Sequence, residues 1–451
     1  MGKSANFRLA LLSATALVAS AAAVSEAQAG AFGIREQSTY FTGDEYAGAA
    51  AGGDISSMFW NPAATATLQG FNSSTSYTGI IASATENATG GVLVTGPGFP
   101  VPGISPTSTN VGTSALVPSS YWTLQLTDQL YVGLGLTAPF GLITKADNFW
   151  AGSPLATTTK VFSLDATPTL AYKITPTLTV GAGVQIEYFE IKLDHDAWTA
   201  PLIGTPIPSR NYQADDTGVG FTVGAIWQPF AGTSLGLGYR SAVNVNVSGL
   251  YSLGASNVNL PFSLIANGKL TLPDEATFSF RQAITSQLAL LGTVQWDRWS
   301  SIGNVNATST LCGGACETLN LNYKDGWFYS IGAEYAYSPA LTLRTGVGYE
   351  VSPITDSTRD ILLPDSNRVH LGFGASYRWS DKITLNAAYS HIFFDSAPFC
   401  MAEPTLAAPT THCVSGSNLA LLSGSADVSV DVVSLGVNYK FYGPEPLEPL
   451  K

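Results

Sequence analysis

The sequence predicts an all-β chain: a membrane-spanning antiparallel β-barrel of about fourteen strands, with a small N-terminal helical hatch, or plug, in its lumen. Three observations predict it. Only 12% of the 451 residues are charged, against about 25% in ordinary soluble domains, while 45% are hydrophobic and 45 are glycine. Beyond the N-terminus no run of about 18 apolar residues would make a membrane-crossing helix. From Phe71 to Phe441, segments of alternating polarity are joined in turn by tight turns and long polar loops. Barrels of the outer membrane have this rhythm, with short periplasmic turns and long extracellular loops.

The first 29 residues form the first element. Lys3 and Arg8 precede the apolar stretch Leu9–Val24, and Ala27-Gln28-Ala29 is a small-residue cleavage signal. That order describes a secretory signal peptide, with a mature chain starting at Gly30. The cleavage signal disfavours an uncleaved helical anchor.

Residues 30–70 come before any strand. Asn61-Pro62 reads as a helix start, because Asn caps free N–H groups and Pro fits the first helical position. A short helix over Ala63–Leu68 would follow. Phe32, Ile34, Met58, Phe59 and Trp60 require burial, and the one large cavity such a chain encloses is the barrel lumen. The segment is therefore expected to plug the barrel rather than to link it to another domain.

The strands are expected at 71–82, 115–126, 130–137, 161–174, 178–193, 217–228, 233–246, 268–283, 288–297, 327–337, 341–350, 368–379, 383–393 and 428–441. In 341–350, Leu341, Leu343, Val347 and Tyr349 share one face, and Arg344, Gly346, Gly348 and Glu350 the other. In 368–379, Val369, Phe373 and Tyr377 oppose Arg368, His370 and Arg378. Period two with one apolar face is the strand signature. Short and long connections alternate throughout, which puts both barrel ends on the periplasmic side. Trp227, Tyr239, Trp296, Trp299, Tyr337 and Trp379 lie near strand ends and suit interfacial girdles. The barrel domain is thus 71–441, and residues 442–451 form a periplasmic tail.

Several chemical readings fall away. Glycine pairs such as Gly181/Gly183 and Gly346/Gly348 sit on strands and not at strand-to-helix turns, so they cradle no phosphate; they relieve crowding on the inner wall or allow curvature. Gly232-Thr233-Ser234-Leu235-Gly236 matches a nucleophile elbow in letters only, since it opens a strand at a periplasmic turn. No histidine and acid are placed beside it, so an enzyme is not expected. A formal charge of −12 disfavours nucleic acid as a partner. No cofactor is implied. The four cysteines, Cys312, Cys316, Cys400 and Cys413, fall in expected loops. Local bridges Cys312–Cys316 and Cys400–Cys413 are the simplest of three connectivities, and a zinc site at Cys400, His412 and Cys413 has the wrong spacing.

Asn61-Pro62-Ala63 lies at the distance from the mature start where the hatch motif stands in the FadL/TodX outer-membrane transporters of long-chain fatty acids and hydrophobic compounds. The chain resembles that family over nearly its whole mature length. The mature start with Phe32 is similar, as are Ala138-Pro139-Phe140-Gly141-Leu142, Thr271-Leu272-Pro273, Tyr323-Lys324-Asp325, and Arg344-Thr345-Gly346 followed by Ser352-Pro353. The resemblance implies capture of ligand by apolar extracellular loops around Phe140–Trp150 and entry to a lumenal pocket. It also implies gating by the N-terminus near Phe32, Asn61, Pro62 and Ala63, and a lateral exit through an inward strand kink. Lys324 matches a family position that meets a ligand carboxylate; it also sits where a solvated lysine is ordinary. The family's second basic contact has no match around Glu187–Glu190. Arg344, Arg368 and Arg378 face the expected lumen and have two readings, as ligand contacts or as charge pairs with Glu187 or Glu350 that brace the wall.

The implied function is outer-membrane transport, in a Gram-negative bacterium, of long-chain fatty acids or similar hydrophobic molecules. Uptake of aromatic hydrocarbons by the same route is the alternative. A general diffusion porin fits less well, because it needs no plug. Expected partners are hydrophobic small molecules and the lipid and lipopolysaccharide of the membrane. One chain closes one barrel, so a monomer is expected.

Overall fold

Fourteen long antiparallel strands close on themselves. The computed structural model describes residues 30–443 except 92–93, 95–103, 110, 154, 196–197, 200–205, 208, 255–261, 313, 403–410 and 413–419. The wall strands are Phe71–Gly90 (β1), Ala115–Gln125 (β2), Leu130–Thr137 (β3), Thr158–Thr175 (β4), Leu178–His195 (β5), Ser209–Trp227 (β6) and Thr233–Arg240 (β7). They continue with Glu275–Ala283 (β8), Leu288–Asp297 (β9), Gly326–Ala336 (β10), Leu341–Val351 (β11), Arg368–Arg378 (β12), Ile383–Phe394 (β13) and Ala420–Tyr442 (β14). Each strand pairs with the next, and β14 returns to β1 in register Phe71↔Tyr442 through Gly90↔Ser423. Closure joins the last strand to the first and removes the terminal edges an open sheet would have, the condition for crossing lipid with strands.

Alternation sorts the side chains as expected. Leu343, Val347 and Tyr349 of β11 face outward, while Arg344 and Glu350 are buried; Val369, Phe373 and Tyr377 of β12 face out, and Arg368 and His370 are buried. The tight turns are built from their own side chains. Thr127 and Thr285 each accept, through Oγ1, the N–H of the residue three positions on, Leu130 at 3.0 Å and Leu288 at 2.9 Å, the local bond that favours Thr in turns.

Some expectations need correction. The expected strands 233–246 and 268–283 are each broken. β7 ends at Arg240 and β8 begins at Glu275; Val243–Val245 and Leu270–Leu272 form a separate two-stranded sheet. Pro273 lacks the N–H a ladder needs, and Ser241 exchanges two bonds of 2.8 Å with Phe221, one through its hydroxyl. The bend turns Val243, Val245, Leu270 and Leu272 into the main apolar cluster. Extra strands, such as 248–254, 262–267, 304–309 and 314–320, extend the wall above the barrel. Cys316 and Cys400 lie in such strands and not in loops. Cys312 and Cys316 are disulfide-bonded with Cα atoms 5.4 Å apart; Cys413, residues 1–29 with the expected signal peptide, and residues 444–451 lie outside the described residues. Trp299 is buried inside the protein and is no girdle residue.

The segment before β1 carries one short α-helix, Thr39–Thr42, and three 3-10 turns, Ala49–Ala51, Ile55–Phe59 and Pro62–Ala66. Ser38, Asp54 and Asn61 cap three of them. Its partners come from around the barrel. Thr39 donates its N–H to Ser76 of β1, Gly48 to Thr293 of β9 and Ala50 to Ser279 of β8, each at 3.0 Å.

Candidate functional site

A break in the third strand and an apolar pocket meet at the amino-terminal segment. Pro139 has no N–H to give to a ladder, and β3 stops at Thr137 to resume as Gly141–Lys145. Before the break β2 and β3 pair from Gln125↔Tyr131 to Ser120↔Leu136. After it the resumed strand pairs with β4, Gly141↔Phe162 to Lys145↔Thr158. Among the described residues, Ala115–Ser119 of β2 then pair with β1 alone. The wall is unzipped along a seam between β2 and the third strand.

The amino-terminal segment lies against that seam. Ile34 donates its N–H to the Pro139 carbonyl at 2.7 Å, and Gly141 donates to the Phe32 carbonyl at 2.8 Å. Gln37 Nε2 donates to the Ala138 carbonyl at 2.7 Å, and the Ala138 N–H donates to Gln37 Oε1 at 3.1 Å. The Gln37 carbonyl accepts from Ser119 Oγ at 2.7 Å and Tyr121 Oη at 2.9 Å on β2.

Phe32 also lines the pocket. Its ring stands edge-on to Trp299 at 4.7 Å and to Phe140 at 6.1 Å between centroids. The pocket holds a cavity of about 40 Å³, walled by residues such as Val161, Phe189, Ile191, Leu319 and Leu321. Its ionisable lining residues are Tyr323 and Asp360, and among the described residues no lysine or arginine lines it. Asp360 lies in the 352–367 loop and accepts the N–H groups of Leu362 at 2.9 Å and Leu363 at 3.3 Å. Burial pushes its carboxyl up to about 6.

The lumenal guanidinium groups are committed elsewhere. Arg344 donates to Glu334 at 3.1 Å and lies 3.6 Å over the Tyr40 ring. Arg368 holds Glu350 at 2.9 Å and Asp365 at 2.5 Å. Arg35 reaches Glu350 at 3.0 Å and Asp297 at 3.6 Å. Arg378 is exposed at the end of β12. Lys324 is exposed beside Tyr323, with its N–H on the Pro353 carbonyl at 2.9 Å.

Asn61 ties the far end of the segment to the wall. Its Oδ1 caps Ala63 at 3.0 Å, and its Nδ2 donates to the Ala50 carbonyl at 2.8 Å and to the Ala225 carbonyl of β6 at 2.9 Å. Glycine lets the two backbones approach. A Cβ at Gly224 would run into the Asn61 side chain, and one at Gly181 into the Pro62–Ala63 peptide.

The structure thus places Phe32 in the pocket lining with the Phe140 ring against it but outside that lining, keeps Asn61, Pro62 and Ala63 together about one turn, and sets Lys324, Arg344 and Arg368 apart from the pocket lining. Gln37, Trp299 and Asp360 escaped sequence reasoning. Pro139 inside a strand-like run was the available signal for the break.

Residues 20–441 match the family described as outer membrane protein transport protein (OMPP1/FadL/TodX). A long-chain fatty acid transport protein of Salmonella typhi is 23% identical over 333 residues, covering 67% of this chain and 76% of that protein. Among solved structures, a FadL homologue of Pseudomonas aeruginosa superposes with a TM-score of 0.78 at 23% identity, covering 91% of this chain and 100% of that one. The toluene transporter TbuX of Ralstonia pickettii superposes with a TM-score of 0.62 at 18% identity, covering 87% and 95%. The chain belongs to the OMPP1/FadL/TodX family, as a multi-pass β-barrel channel for hydrophobic small molecules in the outer membrane of a Gram-negative bacterium, a transporter and not an enzyme.

Proposed function

We propose that the protein takes up uncharged hydrophobic compounds, aromatic hydrocarbons foremost, through a gated pocket and a lateral exit. The apolar pocket lined by Phe32 carries this reading, because among the described residues no lysine or arginine lines it and its one carboxyl group, Asp360, offers a ligand carboxylate no counter-charge. Burying a carboxylate there would cost several kcal/mol without a paired cation. An aromatic hydrocarbon meets no such cost and gains from each apolar contact. TbuX, of similar fold, is described as a toluene transporter.

In this reading residues 1–29 are the signal peptide, 30–70 the hatch, 71–441 the barrel and 442–451 a periplasmic tail. The hatch fills the lumen and blocks aqueous flow. Ligand in the pocket displaces Phe32, and the seam between β2 and the third strand becomes the way out into the membrane. The barrel works as a monomer, in contact with lipid and lipopolysaccharide. A second reading, long-chain fatty acids, is favoured by the exposed Lys324 beside Tyr323, which makes no ion pair among the described residues, and by the name of the Salmonella relative.

Uptake of radiolabelled toluene and oleate would be measured in cells lacking their own transporter, with a small sugar alongside. Toluene uptake without oleate supports the proposal. Oleate uptake that falls in Lys324→Ala moves the assignment to fatty acids, and sugar flux returns the chain to the diffusion porins.

A further inference from the structure

We propose that Gln37 is the latch of the seam: its side-chain amide replaces a missing backbone partner and holds the wall shut until the amino-terminal segment moves. The inference rests on the seam being the exit.

The argument starts from Ala138. It lies in the break, where the third strand has lost β2 as a neighbour. An unpaired backbone N–H and C=O in a membrane wall is costly. The Gln37 amide answers both groups at once, donating from Nε2 to the Ala138 carbonyl and accepting from its N–H at Oε1. This two-way exchange is the pattern of a hydrogen-bonded pair in an antiparallel ladder, with a side chain in place of a strand. The backbone carbonyl of Gln37 meanwhile accepts from Ser119 and Tyr121 on the opposite edge. One residue therefore spans the seam and touches both lips.

The chemistry restricts the residue type. A planar primary amide carries donor and acceptor together. Glutamate has the reach but, ionised, only accepts. Asparagine has the chemistry but is a methylene shorter. Methionine fills a similar volume and offers Ala138 neither bond. The latch also has a handle, because Phe32 in the pocket and Gln37 in the seam belong to one short segment. A ligand that shifts Phe32 draws on the same stretch that holds Ala138.

The test reads the seam directly, whatever the substrate is. Ala138→Cys keeps the backbone groups that Gln37 binds and places a thiol at a buried position. Its labelling by a membrane-permeant maleimide would be timed in isolated outer membranes, in the parent and with Gln37→Met or Gln37→Glu added. Gel mobility before and after heating would certify a folded barrel in each. Both variants are expected to label about tenfold faster, the factor that corresponds to about 1.4 kcal/mol. A residue that only packs would leave Gln37→Met at the parental rate, and equal rates in all three backgrounds overturn the latch. Faster labelling with unchanged toluene uptake supports the latch and overturns the seam as exit. If Gln37→Met does not fold, Gln37→Asn takes its place with the same expectation.

Discussion

Replacing Asn61 by alanine removes three hydrogen bonds at one stroke. The cap on Ala63 goes, and the carbonyls of Ala50 and Ala225 lose their donor. A lost cap costs about 1 kcal/mol. Each hydrogen bond lost to a backbone carbonyl adds about 1 kcal/mol. The sum, about 3 kcal/mol, is on the order of a hundredfold in the local opening equilibrium. Hydrogen exchange on the detergent-solubilised protein reads that equilibrium, since amides of residues 55–66 exchange through local opening. Their protection should fall about a hundredfold in Asn61→Ala, while amides of β9 and β10 keep theirs. Asn61→Asp separates the contributions. It keeps the acceptor that caps Ala63 and loses both donors, so about two thirds of the effect should remain. Unchanged protection of 55–66 in Asn61→Ala would refute the idea that this side chain anchors the segment to the wall.

Leu321→Glu puts a charge into the apolar pocket and should lower toluene uptake about tenfold or more, with sugar exclusion intact; unaltered uptake would remove the pocket from the route. Asp360 has a folded value near 6, above its ordinary 3.8, so its contribution is fully present below about 4 and is lost as pH rises through about 6, about 3 kcal/mol in all. Hydrogen exchange of residues 355–365 should therefore quicken from pH 4.5 to 7.5, after correction for the intrinsic rate, and Asp360→Asn should flatten that dependence. Replacing Cys312 and Cys316 together by serine should loosen the 304–320 hairpin by about 2 kcal/mol, as expected for so short a loop, and leave barrel folding, read by gel mobility, untouched.

Much of the barrel was legible residue by residue. Leu343 and Val347 against Arg344 and Glu350 announce a wall with lipid outside and charge inside, because alternate strand residues point to opposite faces. Turn residues such as Thr127 and Ser338 carry a mechanism that acts within a few positions. Asn61-Pro62 is legible for the same reason, since a cap and a fixed φ act locally. The strands at 233–246 and 268–283 were misjudged because their polarity pattern runs on through Ser241 and Pro273, where the chain turns inward. That turn is held by Phe221 and by Arg298, whose N–H binds the Asp274 carbonyl at 2.9 Å. Neither partner is near in sequence.

By itself, then, the sequence determined the strand count and the presence of a capped, apolar segment ahead of the barrel. Period, turn chemistry and composition are local properties, and each is readable from a window of a few residues. Only the tertiary structure decided that Arg344 and Arg368 spend their charge on Glu334, Glu350 and Asp365, and that Phe32 meets Trp299. It alone placed the amide of Gln37 across a gap in the wall. Asp365 and Arg368 stand three positions apart, but the other pairings join residues from ten to hundreds of positions apart, and which lumenal charge meets which is set by register and closure of the sheet, which no short window contains.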